Sequence, residues 1–274
     1  MAQNHKAAGA TMSYTTIRFN RAGAVARITL ARPDAANALN FAMGAELLDV
    51  ARLCRDDKGV RAVILDADGK VFCAGGDIVT FASAGDRLPT ALKELIEIFH
   101  PAVETLSTMN APVIAAVQGV AAGAGLSLLS SCSLAIASDA ASFTMAYTGI
   151  GLTPDGGATY FLPRQIGLRK TEELMITNRR LNAAEALDWG LVNEVVTPEA
   201  LAGRVDALAN QLAAGATAAY GAARRMLLAS FGNTMTAQLA LEQETMVAAG
   251  GSRDGLAGVA AFKAKTRPEF RGEQ

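Results

Sequence analysis

Asp155 stands between Pro154 and the Gly156-Gly157 pair in GLTPDGGATYFLP (151–163). An aspartate in such a turn can cap a helix, here one beginning near Ala158, by accepting from its first amides. Held by a rigid turn, the same carboxylate can take a proton from carbon and return it elsewhere. Two Gly-rich turns bear on which reading holds. KVFCAGGD (70–77) follows the strand-like RAVILDA (61–67), and GVAAGAG (119–125) follows VIAAV (113–117). Turns of this kind expose backbone N–H groups, and a helix N-terminus adds a dipole that favours negative charge. Two converging amides would form an oxyanion hole for an enolate. The plainer alternative is that the glycines only make tight connections.

Other chemistries are excluded by spacing. A dinucleotide fingerprint in GVAAGAGLSLL needs glycine at 128, which is Leu128, and no GK[ST] phosphate loop occurs. Ser127 lacks the flanking glycines of a nucleophile elbow. The two histidines and three scattered cysteines (Cys54, Cys73, Cys132) form no metal-ligand pattern, and the cysteines fit reduced thiols in a cytoplasmic protein. A net charge of −1 gives no electrostatic reason to expect nucleic acid.

The elements around these residues predict an α/β chain. Residues 1–13 read as a flexible tail without the apolar core of a secretory signal. YTTIRFN (14–20) and AVARITL (24–30) form a predicted hairpin around Arg21-Ala22-Gly23. A helix is expected over 41–56 from Met43, Leu47, Leu48, Ala51 and Leu53. A second covers 88–108, with Pro101 kinking or restarting it. The apolar run 111–129 is broken by Pro112, Gln118 and glycines into strand, turn and helix, so no membrane span is expected. LAIAS (134–138) is a further strand. Strands alternating with helices imply a mainly parallel sheet over 14–196. Residues 197–274 show three helical patterns and a short basic tail, and no internal repeat is visible in the sequence.

ITLARPDAANALN, VFCAGGDI, APVIAAVQGVAAGAGLSL, FTMAYTGIGLTPDGGATYFLPRQIG and RRLNAAEALDWGLVNEVV follow one another in this order. Together they resemble the crotonase (enoyl-CoA hydratase/isomerase) superfamily from residue 14 onward. The resemblance implies an α/β fold with a spiral core of repeated ββα units and a C-terminal helical trimerisation segment. It also implies homotrimers or dimers of trimers, and acyl-CoA thioester substrates. CoA would enter as part of the substrate, with no other cofactor and no metal. The family's oxyanion amides fall on Gly76 and Ala124. Its contacts to the CoA moiety fall on Ala36, Ala38, Ala74, Asp77 and Ile78, and in the tail on Phe262 and Lys265. Basic residues that some relatives carry near these loops are replaced by Ala36 and Val79. For Lys263, Lys265 and Arg267 the alternative is a solvated basic tail.

Departures from the pattern bear on the chemistry. A hydratase of this family uses two glutamates, and Ser127 and Tyr147 occupy their positions. Asp155 lies in the turn where isomerase branches carry a proton-shuttling aspartate and 4-chlorobenzoyl-CoA dehalogenase a nucleophilic one. His100, on ELIEIFHPAVETL, matches a catalytic histidine of the dehalogenase, or is a packing residue on an apolar helix. Tyr147 lines the acyl pocket or donates an O–H to the substrate. The expected activity is isomerisation of an unsaturated or epoxide-bearing acyl-CoA. The alternatives are dehalogenation, hydrolysis, residual hydration, non-catalytic acyl-CoA binding, or RNA binding by a relative of the same fold. Apolar walls are expected from Ile78, Phe81, Leu95 and Ile98 and from the C-terminal helices.

Overall fold

In the computed structural model, residues 14–272 are described, so the expected 1–13 tail lies outside the described residues. The chain opens with the antiparallel hairpin β1 (Ile17–Ala22) and β2 (Val25–Leu30), turning at Gly23 with φ +61°. Helix α1 (Phe41–Asp56) follows, capped by Asn40, whose side chain accepts from the Met43 amide. Its inward stripe is Met43, Leu47, Val50, Ala51 and Cys54, at helical spacing, while Leu53 faces outward.

Next come β3 (Ala62–Ala67), β4 (Val71–Cys73), α2 (Ile78–Ala84) and α3 (Leu88–Thr108). Then come β5 (Val113–Val117), β6 (Val120–Ala122) and α4 (Ala124–Ser131), followed by β7 (Leu134–Ser138) and β8 (Ser142–Thr144). The α/β part ends with α5 (Ala158–Gln165), α6 (Leu168–Thr177), β9 (Leu181–Asn182), α7 (Ala183–Trp189) and β10 (Glu194–Val196). Pro101 neither ends nor restarts α3, which runs through it as one helix.

The strands sort into two sheets. One has the order β1-β2-β3-β5-β7-β10 and is parallel from β2 onward. The other has the order β4-β6-β8-β9. A β-β-α unit therefore occurs three times, beginning at β3, β5 and β7, each placing its first strand in the large sheet and its second in the small one. These are the repeated ββα units that the resemblance implies, although no repeat is visible in the sequence. The repeat is one of backbone path, and the side chains that fill it differ from unit to unit.

Beyond β10 the chain is helical: α8 (Pro198–Ala213), α9 (Thr217–Ser230), α10 (Met235–Gly251) and α11 (Arg253–Ala264). The segment read as a basic tail thus begins inside a fourth helix. Strand β5 is buried on both faces. Val113, Ala115 and Val117 join the main core, while Ile114 and Ala116 pack beneath Leu201, Val205 and Ala209 of α8. Among the described residues no helix is long and apolar enough to cross a membrane.

Candidate active site

The three repeated units deliver their second strands side by side, β4 against β6 and β6 against β8. The loops leaving those strands meet at one cavity of about 270 Å³. The loop after β4 brings Gly76, that after β6 brings Ala124, and that after β8 brings Tyr147 and, further on, Asp155.

Two glycines make the first pair of loops fit. Gly75 has φ +109°, and a Cβ there would stand 3.2 Å from the Ala122 carbonyl and 3.6 Å from the Ala124 nitrogen. Gly123 has φ +50°, and a Cβ there would stand 3.4 Å from the Gly75 Cα. The two turns therefore lie backbone to backbone, in conformations and spaces that suit glycine. Leu39 supports the first loop, its amide donating to the Gly75 carbonyl at 2.7 Å and its carbonyl accepting from Asp77 at 2.9 Å. Among the described residues, neither the Gly76 nor the Ala124 amide donates to a protein acceptor. Ala124 opens α4, where the first amides have no intrahelical partner. Two lone N–H groups in touching turns at one cavity can hold developing negative charge on an oxygen.

Asp155 does not cap α5. The residue before that helix is Gly157, which makes no side-chain cap. Instead Asp155 Oδ1 accepts a hydrogen bond from the Tyr147 hydroxyl, and the Tyr147 oxygen lies 3.1 Å from Ser127 Oγ. Burial, and then the neighbouring Asp155 carboxylate, push the Tyr147 phenol well above its usual range, so it remains a donor. Among the described residues Asp155 is the one carboxylate on the cavity wall.

The turn that carries Asp155 is held by its neighbours. Gly156, at φ +59°, has room for no side chain: a Cβ would come within 2.6 Å of Phe99 and 2.9 Å of Ser127. Its amide donates to His100 Nε2 at 3.1 Å. His100 is exposed and does not line the cavity. Ala146 has φ +57°, and the Tyr147 amide returns to the Met145 carbonyl at 2.7 Å, closing a three-residue γ-turn. Backbone strain of this kind at a cavity wall orients the next side chain. Nothing in the composition or periodicity of FTMAYTG signals it.

The residues expected to meet CoA divide into two groups. Ala36, at φ +50°, accepts from the Ala74 amide at 3.0 Å, which joins the 33–38 turn to the loop holding Asp77 and Ile78. Asn37, fully buried, ties the same turn to the Asp68 and Val71 carbonyls at 2.8 Å each. Arg32 reaches both the Ala38 carbonyl and, at 2.9 Å, the Asp77 carboxylate. Burial pushes Asp77 upward, but Arg32 and the α2 amides outweigh it and hold the carboxyl below its usual range. Its side chain thus caps α2 and pairs with Arg32, while its amide donates to Leu39 and its carbonyl accepts from the Phe81 amide at 3.1 Å, which leaves the second lone pair of that carbonyl open to a ligand. Phe262 and Lys265 lie at the end of α11, exposed and away from this cavity within the chain.

Of the expected walls, Ile78, Phe81 and Leu95 line the cavity, with Leu92, Ile96, Ile150 and Leu152 completing it. Ile98 does not, because it packs against α1 at Gly44. Among the described residues no C-terminal helix contributes a wall.

The chain matches the sequence pattern described as enoyl-CoA hydratase/isomerase over residues 20–273. A Rhodobacter capsulatus protein named "probable enoyl-CoA hydratase" is 40% identical over 95% of this chain and 100% of its own length. The 1,2-epoxyphenylacetyl-CoA isomerase of Escherichia coli is 35% identical over 91% of this chain and 95% of its own. An enoyl-CoA hydratase crystal structure from Polaromonas superposes with a TM-score of 0.88 at 32% identity, covering 93% of this chain and 99% of that one. Loops, sheets and sequence agree that this chain belongs to the enoyl-CoA hydratase/isomerase family, in the crotonase superfamily.

Proposed function

We propose that the protein isomerises an unsaturated or epoxide-bearing acyl-CoA through a thioester enolate. The observation that carries this reading is the single carboxylate: Asp155 shares the cavity with the lone Gly76 and Ala124 amides. Ser127 and Tyr147, where a hydratase of the family has its two glutamates, bond to each other, and Tyr147 also bonds to Asp155. Activating water and protonating carbon is the work of two groups, whereas moving one proton between carbons is the work of one.

For a 3-enoyl thioester the steps balance without a co-reactant. Asp155 takes a proton from C2, and the electron pair of that C–H bond moves through the carbonyl onto the thioester oxygen. The Gly76 and Ala124 amides hold this charge. Asp155 then gives its proton to C4, the electrons return from oxygen, and the double bond lies between C2 and C3. The apolar cavity suits an uncharged acyl chain and keeps water from the enolate.

CoA enters here only as the carrier of the acyl group, with Ala36, Ala38, Ala74, the Asp77 backbone and Ile78 along its path. Phe262 and Lys265 would act on CoA across a subunit boundary. That role goes with a homotrimer or dimer of trimers in which exposed apolar residues of α9–α11, such as Leu227, Phe231 and Val259, are covered.

The test is turnover of a 3-enoyl-CoA in heavy water by wild type and Asp155→Asn. A conjugated product whose C4 hydrogen comes mainly from C2 rather than from heavy water, formed about 100- to 10,000-fold more slowly by the variant, is expected. Equal rates in both proteins would overturn the reading. A covalent aspartyl adduct found by mass spectrometry would replace it with nucleophilic chemistry.

A further inference from the structure

Ser127 is fully buried and touches three parts of the site at once. Its hydroxyl lies 3.1 Å from the Tyr147 oxygen and 3.3 Å from the Gly123 carbonyl, and its Cβ supports the turn at Gly156. Gly123 C=O and Ala124 N–H belong to one peptide group. Resonance couples them, so a hydrogen bond accepted by the carbonyl makes the N–H a better donor. The Gly123 carbonyl already accepts from the Ser127 amide at 3.0 Å.

Counting hydrogens along this chain gives two arrangements. Tyr147 and Ser127 carry one hydroxyl hydrogen each. With Asp155 ionised, Tyr147 must donate to it, and Ser127 is free to donate to the Tyr147 oxygen. With Asp155 protonated on its other oxygen, where the proton stays within reach of C4, Oδ1 is a weaker acceptor and the Tyr147 hydrogen turns to Ser127. The Ser127 hydrogen then has one acceptor left, the Gly123 carbonyl.

We propose that Ser127 is a positioning residue that couples the protonation state of Asp155 to the donor strength of the Ala124 amide, through Tyr147 and the Gly123-Ala124 peptide. This rests on the isomerase reading above. When Asp155 takes the substrate proton, the enolate charge is on the thioester oxygen. At that moment the relay directs its last hydrogen to the peptide that faces this charge. No proton enters or leaves the chain beyond the one moved between carbon and Asp155, since the hydroxyl hydrogens only reorient.

The experiment compares wild type, Ser127→Ala, Asp155→Asn and the double variant in two measurements, the neutral carboxamide of Asp155→Asn standing in for the protonated acid. One is steady-state turnover of a 3-enoyl-CoA. The other is the infrared carbonyl stretch of bound, carbonyl-labelled octanoyl-CoA, a saturated thioester that cannot isomerise. For Ser127→Ala we expect kcat to fall about tenfold with KM unchanged, less than the loss of a direct oxyanion donor would cause. The bound carbonyl stretch should differ little between wild type and Ser127→Ala, where Asp155 is ionised, and should move to higher frequency when Ser127→Ala is added to Asp155→Asn, reporting weaker polarisation. A vacancy left by one hydroxyl in a buried helix would lower stability without moving that frequency, so the two roles separate. If Asp155→Asn is inactive while Ser127→Ala matches wild type in kcat and leaves the stretch of Asp155→Asn unmoved, the coupling is overturned and the isomerase reading stands. If Asp155→Asn is as active as wild type, the isomerase reading and the coupling to Asp155 both fall.

Discussion

The Gly156 amide donates to His100 Nε2 at 3.1 Å, and His100 itself stands outside the wall of the cavity that Asp155 lines. Gly156 is buried, so losing this acceptor leaves an N–H without a partner, at a cost of about 1–3 kcal/mol. His100→Ala should therefore lower the melting temperature and cut kcat by loosening the Asp155 turn. His100→Gln, whose amide oxygen can accept in the same place, should recover most of both. A ring needed for proton transfer would give a different pattern, with His100→Gln as poor as His100→Ala in kcat despite restored stability. Thermal unfolding and steady-state rates on the two variants decide this.

At the start of α4 the backbone, not the side chain, is expected to matter. Ala124→Gly keeps the amide and should stay within a few-fold of wild type in turnover. Gly125→Ala is the opposite case. Its Cβ would stand 2.4 Å from the Cys73 carbonyl and 2.6 Å from the Cys73 Cβ, neither of which can yield without moving β4 or α4. Overpacking of this kind costs about 1–3 kcal/mol. The displaced helix would carry the Ala124 amide away from Gly76, so activity should fall even where the variant folds.

Asp77 links acid stability to the loop beside the site. Arg32 and the Val79 and Thr80 amides hold its carboxyl below the usual range. The stabilisation is present above the unfolded carboxyl value of about 3.9 and is lost as pH falls through the lower folded value. Asp77→Ala, which removes both the cap and the largely buried partner of Arg32, should cost about 2–4 kcal/mol at neutral pH. Its deficit relative to wild type should shrink as pH falls below the unfolded carboxyl value, as denaturation curves across pH would show.

All three thiols should be silent in the folded protein. Burial pushes Cys73 up to about 11 and Cys54 and Cys132 up to about 12. At neutral pH the nucleophilic thiolate is therefore scarce as well as enclosed. Native protein should resist a thiol reagent over hours and react at three sites once denatured. Rapid labelling of native Cys73 would show that the β4 loop opens in solution.

Long apolar periods were legible in the sequence. The 41–56 helix and the strands at 113–117 and 134–138 fall where their patterns put them, because each is long enough to bury one full face. Strands β4, β6 and β8 are three residues each, too short to show a period, and the small sheet they build came only through family resemblance. The Gly-rich turns marked where free amides could converge, because positive φ and close approach demand glycine nearby, and the family resemblance picks out Gly76 and Ala124 within them. Ser127 and Ala146 gave no comparable signal. A buried serine looks like any small helix residue, and the strained φ of Ala146 comes from tertiary contacts rather than residue type. His100 was visible as a histidine, but its place beside the turn depends on a contact across 56 positions in the chain.

The loops after β4, β6 and β8 occupy the same place in three successive units, yet they supply different things: one amide, a second amide, and a phenol leading to a carboxylate. On the proposed isomerase reading, the scaffold separates holding charge from choosing where protons go. Changing the third loop alone would redirect the reaction while the first two go on gripping the thioester. A swap of residues 145–157 between members of this fold is the smallest graft that could convert one acyl-CoA chemistry into another.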